Sequence, residues 1–176
     1  MVSVVYNFNL MTKIYLPKYV FPVSQVLSAG LNFVITLIPL TLVIVFTGTI
    51  RMISWWYLMI PVIFGFFFLF AVGVGFIVSC LAVFFRDTFH IYQIIIQIWN
   101  YATPVFYSIA MIPPRFIKIF QINPLFNYIN AVRDIILYGR CPTELDMILG
   151  VVWGLSFFII GTLVFKKTQD EFIYYY

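Results

Sequence analysis

The stretch MISWWYLMIPVIFGFFFLFAVGVGFIVSCLAVFF at residues 52–85 contains no charged residue and decides the fold class. A helix needs roughly 20 apolar residues to cross about 30 Å of hydrocarbon, and this stretch exceeds that length. Three further uncharged runs cover residues 19–50, 88–114 and 147–165. Over the 176 residues, 64% are hydrophobic and 9% are charged, whereas a soluble domain carries about 25% charged residues. The sequence therefore predicts an all-α integral membrane protein.

About four transmembrane helices are predicted from these runs, over residues 23–46, 55–84, 89–107 and 147–165. Residues 112–145 contain four basic residues and several prolines, which excludes a plain transmembrane helix there. Within them an amphipathic helix is predicted that ends at Gly139 and lies in the interface or re-enters the membrane against protein. Its apolar face consists of Leu125, Ile129, Val132 and Ile136, and its polar face of Asn127, Asn130 and Asp134.

The charge and motif content excludes several functions. The net charge is +4 and the basic residues are scattered, so nucleic acid is not a predicted partner. Cys80 and Cys141 are predicted to be free thiols because one lies inside an apolar span and the other in a polar segment. His90 has no second histidine or cysteine near it, so no metal site is predicted. No phosphate loop, serine elbow or zinc-protease motif occurs, so the chain is predicted not to be an enzyme.

Polar side chains follow one side of two predicted spans. Uncharged polar residues in lipid have to face protein or water, so these stripes predict either hydrogen bonds between helices or a hydrophilic path through the membrane. The third span also concentrates aromatic residues, which can stack on sugar faces or form an interfacial belt. The stripes are Ser24, Ser28, Asn32 and Thr36 on the first span, and Gln93, Gln97, Asn100 and Pro104 on the third; the rings include Tyr92, Trp99, Tyr101, Phe106 and Tyr107.

Small residues on two spans predict close packing of helices. They keep one face of each helix flat, which lets the backbones approach. The residues are Ala71, Gly75 and Ser79 in the second span, and Gly150, Gly154 and Gly161 in the last. Arg86 and Asp87, in the turn after the second span, are interpreted as snorkelling or paired charges at a membrane edge.

Six short motifs follow one another along the chain: NLMTKIYLPK at residues 9–18, FFRD at 84–87, TPVFY at 103–107, MIP at 111–113, NP at 123–124 and FKK at 165–167. Gln97 lies between FFRD and TPVFY, and Arg133 lies between NP and FKK. This ordered set resembles the permease subunits of type-2 ABC exporters, in the class that exports polysaccharide, O-antigen and teichoic acid. The resemblance covers nearly the whole chain.

The resemblance implies a division of the chain into four parts. Residues 1–22 would be the end of a truncated helix and a cytoplasmic coupling segment, residues 23–111 three transmembrane helices, residues 112–145 extracytoplasmic re-entrant helices, and residues 146–176 the last transmembrane helix and a cytoplasmic tail. The coupling residues would be Lys13, Tyr15, Leu16, Pro17 and Lys18, with Arg86 and Asp87 in a cytoplasmic turn. Lysine and arginine are equally frequent on the two predicted sides, so only the resemblance supplies this orientation.

The function implied by the resemblance is export of a polysaccharide or lipid-linked glycan, such as O-antigen, capsule or teichoic acid, across the bacterial inner membrane. The expected partners are an ABC ATPase subunit, a second permease copy and the glycan. This chain would bind no cofactor, because ATP and Mg would be used by the ATPase. The translocation path would include Gln93, Gln97, Trp99, Asn100, Tyr101, Phe106 and Tyr107.

Two alternatives stay open from the sequence. One is a drug or lipid efflux permease of the same type, and the other is a membrane assembly factor that transports nothing. Members of the exporter family carry further helices before the point that corresponds to residue 1, about a third of their length. We expect that their absence reflects a shortened gene or a wrong start.

Overall fold

The computed structural model describes residues 19–46, 55–85, 87–105, 107, 111 and 113–169. These residues form six α-helices and one 3₁₀ turn, Trp55–Met59, and they contain no strand, which confirms the all-α class. Three stretches among them are long and apolar enough to cross a membrane: Pro22–Val43, Trp55–Phe84 and Glu144–Thr168. The helices are α1 (Val20–Phe46), α2 (Ile60–Phe84), α3 (Thr88–Ala102), α4 (Pro114–Gln121), α5 (Pro124–Tyr138) and α6 (Glu144–Thr168).

The third predicted span is shorter in the structure than in the sequence analysis. α3 has 15 residues and ends at Ala102 instead of Tyr107, which corresponds to a length of about 22 Å. Pro104 explains the early end, because a proline disfavours helical backbone in the residue before it. Thr103 is extended, with φ −106° and ψ 125°. The fourth membrane crossing therefore stays a prediction.

α2 and α6 form the centre of the bundle and run parallel to each other. Their contacts advance along both helices in the same direction, from the beginning of each to its end. The matching pairs are Phe66 with Gly154, Gly73 with Gly161, and Phe76 with Phe165, whose ring centroids are 4.9 Å apart.

Glycine permits this close approach at two of the three contacts. A Cβ atom added to Gly161 would overlap the carbonyl oxygen of Gly73, and one added to Gly154 would lie 2.7 Å from the carbonyl oxygen of Phe66. The predicted packing face of the last span is therefore confirmed. On α2 the contact is made by Gly73, whereas Gly75 faces Val26 of α1.

α1 and α3 run antiparallel to α2. Val26 approaches Gly75 while Phe33 packs on Phe64 with ring centroids 4.7 Å apart, so α1 and α2 form a hairpin. At the start of α3 the Thr88 hydroxyl donates to the carbonyl oxygen of Leu81, 3.1 Å away, and near its end Trp99 packs edge-on against Phe70. α3 thus carries the chain back toward the end of the bundle at which α2 and α6 begin.

α5 packs across the first halves of α2 and α6 and buries Phe126, Tyr128, Ala131 and Ile135 together with the polar residues Asn127 and Asp134. Asn127 and Asp134 are 0% and 2% exposed, whereas the predicted apolar residues Leu125, Ile129, Val132 and Ile136 are only half-buried. The predicted amphipathic helix and its end at Gly139, which has φ 60°, are confirmed. Asn127 is held in this position by the carbonyl oxygens of Gln121 and Asn123, to which its Nδ2 donates.

Candidate functional site

An exposed polar stripe runs along α3. Gln93, Gln97 and Asn100 are exposed and make no hydrogen bond to the described part of the chain. Tyr101, one turn after Gln97, is 73% exposed and lies on the same side. The structure therefore brings four of the predicted path residues together on one face. Hydrogen bonding between helices of the same chain, one of the two interpretations, does not occur for these side chains among the described residues.

The polar residues of α1 also lie on its exposed side. Ser28 and Asn32 are exposed. The hydroxyl of Thr36, which is exposed as well, donates to the carbonyl oxygen of Phe33 at 2.7 Å. Such a bond within one helix satisfies the hydroxyl without a neighbouring helix.

Trp99 lies on a different face of α3 from the stripe. Its ring is perpendicular to Phe70 with centroids 6.4 Å apart, and its Nε1 donates to Oδ1 of Asn123 at 2.8 Å. The indole therefore packs against the bundle, at the side opposite to Gln97. Trp99 is a predicted path residue that the structure separates from the others.

Asn123 joins the end of α3 to the beginning of α5. Its Oδ1 also accepts from the Leu125 amide at 3.1 Å, which caps α5, and its Nδ2 donates to the Thr103 hydroxyl at 2.9 Å. Pro124 occupies the first helical position, where a missing N–H costs nothing. The side-chain amide of Asn123 thus bonds to α3, to Thr103 after it and to the first turn of α5.

The segment after α3 turns back toward α5. The Tyr107 hydroxyl donates to the carbonyl oxygen of Tyr101 at 3.1 Å, and Tyr107 is half-buried. Arg133 of α5 donates to the carbonyl oxygen of Val105 at 2.9 Å. Tyr107, a predicted path residue, therefore faces α5, and Phe106 lies outside the described residues.

A pocket of about 680 Å³ opens between α4, α5 and the start of α6. Arg140 donates from Nε and Nη2 to Oδ1 of Asp134, at 3.0 and 2.6 Å. Asn130 donates from Nδ2 to Oδ2 of Asp146, which is 4% exposed. The polar lining includes Tyr107, Asn130, Arg133, Asp134, Arg140 and Asp146.

Tyr128 lies where α2, α5 and α6 meet. Its hydroxyl is 2.6 Å from the carbonyl oxygen of Gly150, to which it donates, and 3.3 Å from that of Phe66. Burial raises the pKa of Tyr128 to about 12, so the hydroxyl remains protonated and a donor. A Cβ on Gly150 would lie 3.2 Å from the Tyr128 ring, which explains the glycine at that position.

Comparison with known protein families places most of this chain in one family. Residues 3–137 match the family described as ABC-2 type transporter. The chain belongs to the ABC-2 type transporter family.

Individual relatives of this ABC-2 protein carry a more specific name. Two proteins of Klebsiella pneumoniae, each named O-antigen export system permease protein RfbA, are 32% and 34% identical over 97% of this chain and 65% of their own length. A protein of the same name from Myxococcus xanthus is 25% identical over 93% of this chain and 63% of its own. The chain thus spans just under two thirds of the length of these relatives.

The structure describes only Asp87 among the remaining predicted site residues of the ABC-2 protein. The coupling residues Lys13, Tyr15, Leu16, Pro17 and Lys18 lie outside the described residues, as does Arg86. Asp87 is exposed at the start of α3, and its side chain makes no capping hydrogen bond there.

The pocket was not predicted as a site from the sequence. Asn130 and Asp134 are four residues apart and could be placed on one helix face from their spacing. Arg140 and Asp146 come after the end of α5, so helical spacing does not predict that they contact Asn130 or Asp134. The turn at the end of α5 brings Arg140 to Asp134, and the packing of α5 against α6 brings Asn130 to Asp146.

Proposed function

We propose that this ABC-2 protein is the permease part of a bacterial exporter that moves a polysaccharide or lipid-linked glycan of the O-antigen type across the inner membrane. The observation that carries the proposal is identity of about a third, along 97% of the chain, to proteins named O-antigen export system permeases. Capsular polysaccharide and teichoic acid, which the resemblance also implied, remain within the proposed substrate class.

The stripe on α3 supports a polar route. Gln93, Gln97 and Asn100 are exposed on a helix that carries isoleucines on its other sides. Amides without a partner are unfavourable in lipid, so this face is expected to lie against water, the passing glycan or a second copy of the chain. An amide offers both donors and acceptors, which suits a polymer of hydroxyl groups. We infer that the stripe lines the route and that two copies form it.

Energy for transport is proposed to come from a separate ATPase subunit, which uses ATP and Mg. The chain carries no phosphate-binding loop of its own. The basic and proline-interrupted segment with Lys13, Tyr15, Leu16, Pro17 and Lys18 is the proposed contact with that subunit.

Deleting the gene in its host tests the substrate class. We expect surface glycan, measured by labelling intact cells, to fall while glycan accumulates inside, and expression of the gene from a plasmid to restore it. Normal surface glycan combined with increased sensitivity to apolar drugs would contradict the proposal and favour an efflux permease.

Replacing Tyr15 and Leu16 by Ala tests the coupling segment. We expect less ATPase subunit to co-purify with the protein, at an unchanged amount of protein in the membrane. Gly65→Ala is the matched control, because Gly65 is exposed and an added Cβ has nothing within 4 Å. Equal co-purification by the double variant and the control would remove the coupling assignment.

A further inference from the structure

The pocket between α4, α5 and α6 is separate from the exposed stripe on α3. Its volume of about 680 Å³ is within the range of about 300–1,000 Å³ found for small-molecule sites. It contains two arginines and two aspartates, so its formal charges cancel. Its aromatic lining comes from Tyr107, Phe126 and Tyr138.

One carboxylate oxygen of this pocket has no hydrogen-bond partner among the described residues. Asp134 is 2% exposed, and its Oδ1 is held by Arg140. Its Oδ2 is buried and has no hydrogen bond to any described residue. An unpaired buried carboxylate oxygen is unfavourable, so it calls for a ligand that donates a hydrogen bond. The Arg140 side chain that covers Asp134 is 65% exposed, so a ligand reaches the carboxylate by moving a group that already faces solvent.

We propose that this pocket binds a short uncharged saccharide, whose hydroxyls donate to Asp134 and Asp146 and whose oxygens accept from Arg133 and Arg140. Arg133 uses Nη2 for the Val105 carbonyl and keeps further N–H donors for a ligand. The rings of Tyr107 and Tyr138 offer faces for the apolar side of a sugar. The identification of this saccharide with the exported glycan rests on the proposed function.

Other ligand classes fit the pocket less well. A phosphate would meet arginines whose charge is balanced by Asp134 and Asp146, so its binding would bring an uncompensated negative charge. A calcium ion takes 6 to 8 oxygen ligands, and the guanidinium of Arg140 next to Asp134 would repel it. The hydroxyls of a neutral ligand can donate to the aspartates and accept from the arginines in the same pocket.

The test measures binding to an array of uncharged bacterial oligosaccharides by the full protein in lipid nanodiscs, with inorganic phosphate and Ca²⁺ as soluble competitors. We expect saccharide binding that neither competitor displaces. Asp134→Asn should weaken it about tenfold or more, whereas Glu144→Gln, a neighbouring carboxylate that does not line this pocket, should leave it unchanged. Absence of saccharide binding, or displacement by phosphate, would overturn the proposal.

Because Asp134→Asn also removes the partner of Arg140, a second variant is needed. Leu137 lines the pocket and is 56% exposed, so Leu137→Trp fills the pocket without removing a polar group. We expect loss of saccharide binding at an unchanged melting temperature. Full binding by a folded Leu137→Trp protein would place the saccharide elsewhere and overturn the assignment.

Glycan export by the Leu137→Trp variant distinguishes the two sources of such a ligand. Slower export supports the exported glycan as the occupant, and unchanged export with lost binding supports a free saccharide from outside the cell. Failure of the proposed function is measured separately, since it would appear as normal surface glycan after gene deletion. In that case array binding and its loss in Leu137→Trp would still decide whether the pocket is a saccharide site.

Discussion

Single glycines set the distance between α2 and α6. We expect Gly161→Ala to lower the free energy of unfolding by about 1–3 kcal/mol, because the added methyl group overlaps the Gly73 carbonyl and the helices have to separate. Thermal unfolding in detergent is the measurement. Gly65→Ala, on the same bundle but in open space, should be neutral or stabilising by up to about 1 kcal/mol. Equal melting temperatures for the two variants would contradict close packing at Gly161.

Tyr128 is expected to stabilise the junction of α2, α5 and α6 through its hydroxyl. Tyr128→Phe leaves the Gly150 carbonyl without its donor and should destabilise the protein by about 1 kcal/mol. The exposed Tyr101→Phe variant should melt like the unmodified protein. Identical melting of both variants would show that the buried hydroxyl contributes nothing.

The stabilisation by the Tyr128 hydroxyl should also depend on pH. Burial raises its pKa in the folded protein to about 12, above the value of about 10 in an unfolded chain. The folded state therefore holds the proton more tightly than the unfolded chain. The stabilisation that the protonated hydroxyl contributes is complete below about pH 10 and is lost as the pH rises to about 12. The difference in stability between the unmodified protein and Tyr128→Phe, measured by denaturant unfolding, should shrink over that window. A constant difference would contradict the buried hydroxyl.

At the scale of the element, α3 has two faces with different expected roles. Gln97 has no hydrogen bond to the described residues, so Gln97→Leu should leave the melting temperature unchanged and reduce glycan export. Trp99 is held by Asn123 and Phe70, so Trp99→Phe should cost about 1 kcal/mol, and Trp99→Ala about 3 kcal/mol or more. The measurements are export and thermal unfolding on the same variants.

Two outcomes would contradict this division of α3. If Gln97→Leu lowers the melting temperature in step with export, the stripe is a packing surface. If Trp99→Ala abolishes export at an unchanged melting temperature, Trp99 belongs to the path with the stripe, as the sequence analysis predicted. The unmodified protein and Gly65→Ala, whose added Cβ has nothing within 4 Å, are the controls.

For the whole molecule, the parallel packing of α2 and α6 constrains the topology. Two parallel helices begin at the same end of the bundle, so the chain between Phe84 and Glu144 has to return to that end. α3 runs antiparallel to α2 and supplies the return. Whether this 15-residue helix crosses the membrane stays a prediction.

The native Cys141 provides a direct test of this topology. It is exposed just before α6, whereas Cys80 is buried in α2. In a Cys80→Ala background we expect an impermeant thiol reagent to label Cys141 in intact cells, and a Lys118→Cys variant lacking Cys141 to be labelled as well. Lys167→Cys, at the other end of α6, should be labelled only after the cells are opened. Labelling of both ends of α6 in intact cells, or of neither, would contradict the orientation.

Much of the helical framework was predictable from the sequence. The predicted span over residues 55–84 corresponds to the 3₁₀ turn and α2, and the span over 147–165 corresponds to α6, extended by three residues at each end. Long uncharged runs have one favourable solution in lipid, because only a helix satisfies its own backbone there. Gly139 marked the end of α5 for an equally local reason, since its φ of 60° suits glycine.

The tertiary structure decided which side of each helix faces the protein. Spacing grouped Asn127, Asn130 and Asp134 on one side of α5, but only packing against α2 and α6 shows that Asn127 and Asp134 are buried. The resemblance placed Gln97 and Trp99 in one translocation path, and the contacts of Trp99 with Asn123 and Phe70 put it on a different face of α3 from Gln97. A periodic pattern shows which residues share one face of a helix but not what that face packs against. Burial and hydrogen bonding depend on residues that are distant in sequence. For this reason the sequence alone identified a membrane protein built of helices, and the pocket that joins Asp134, Arg140 and Asp146 emerged only from the fold.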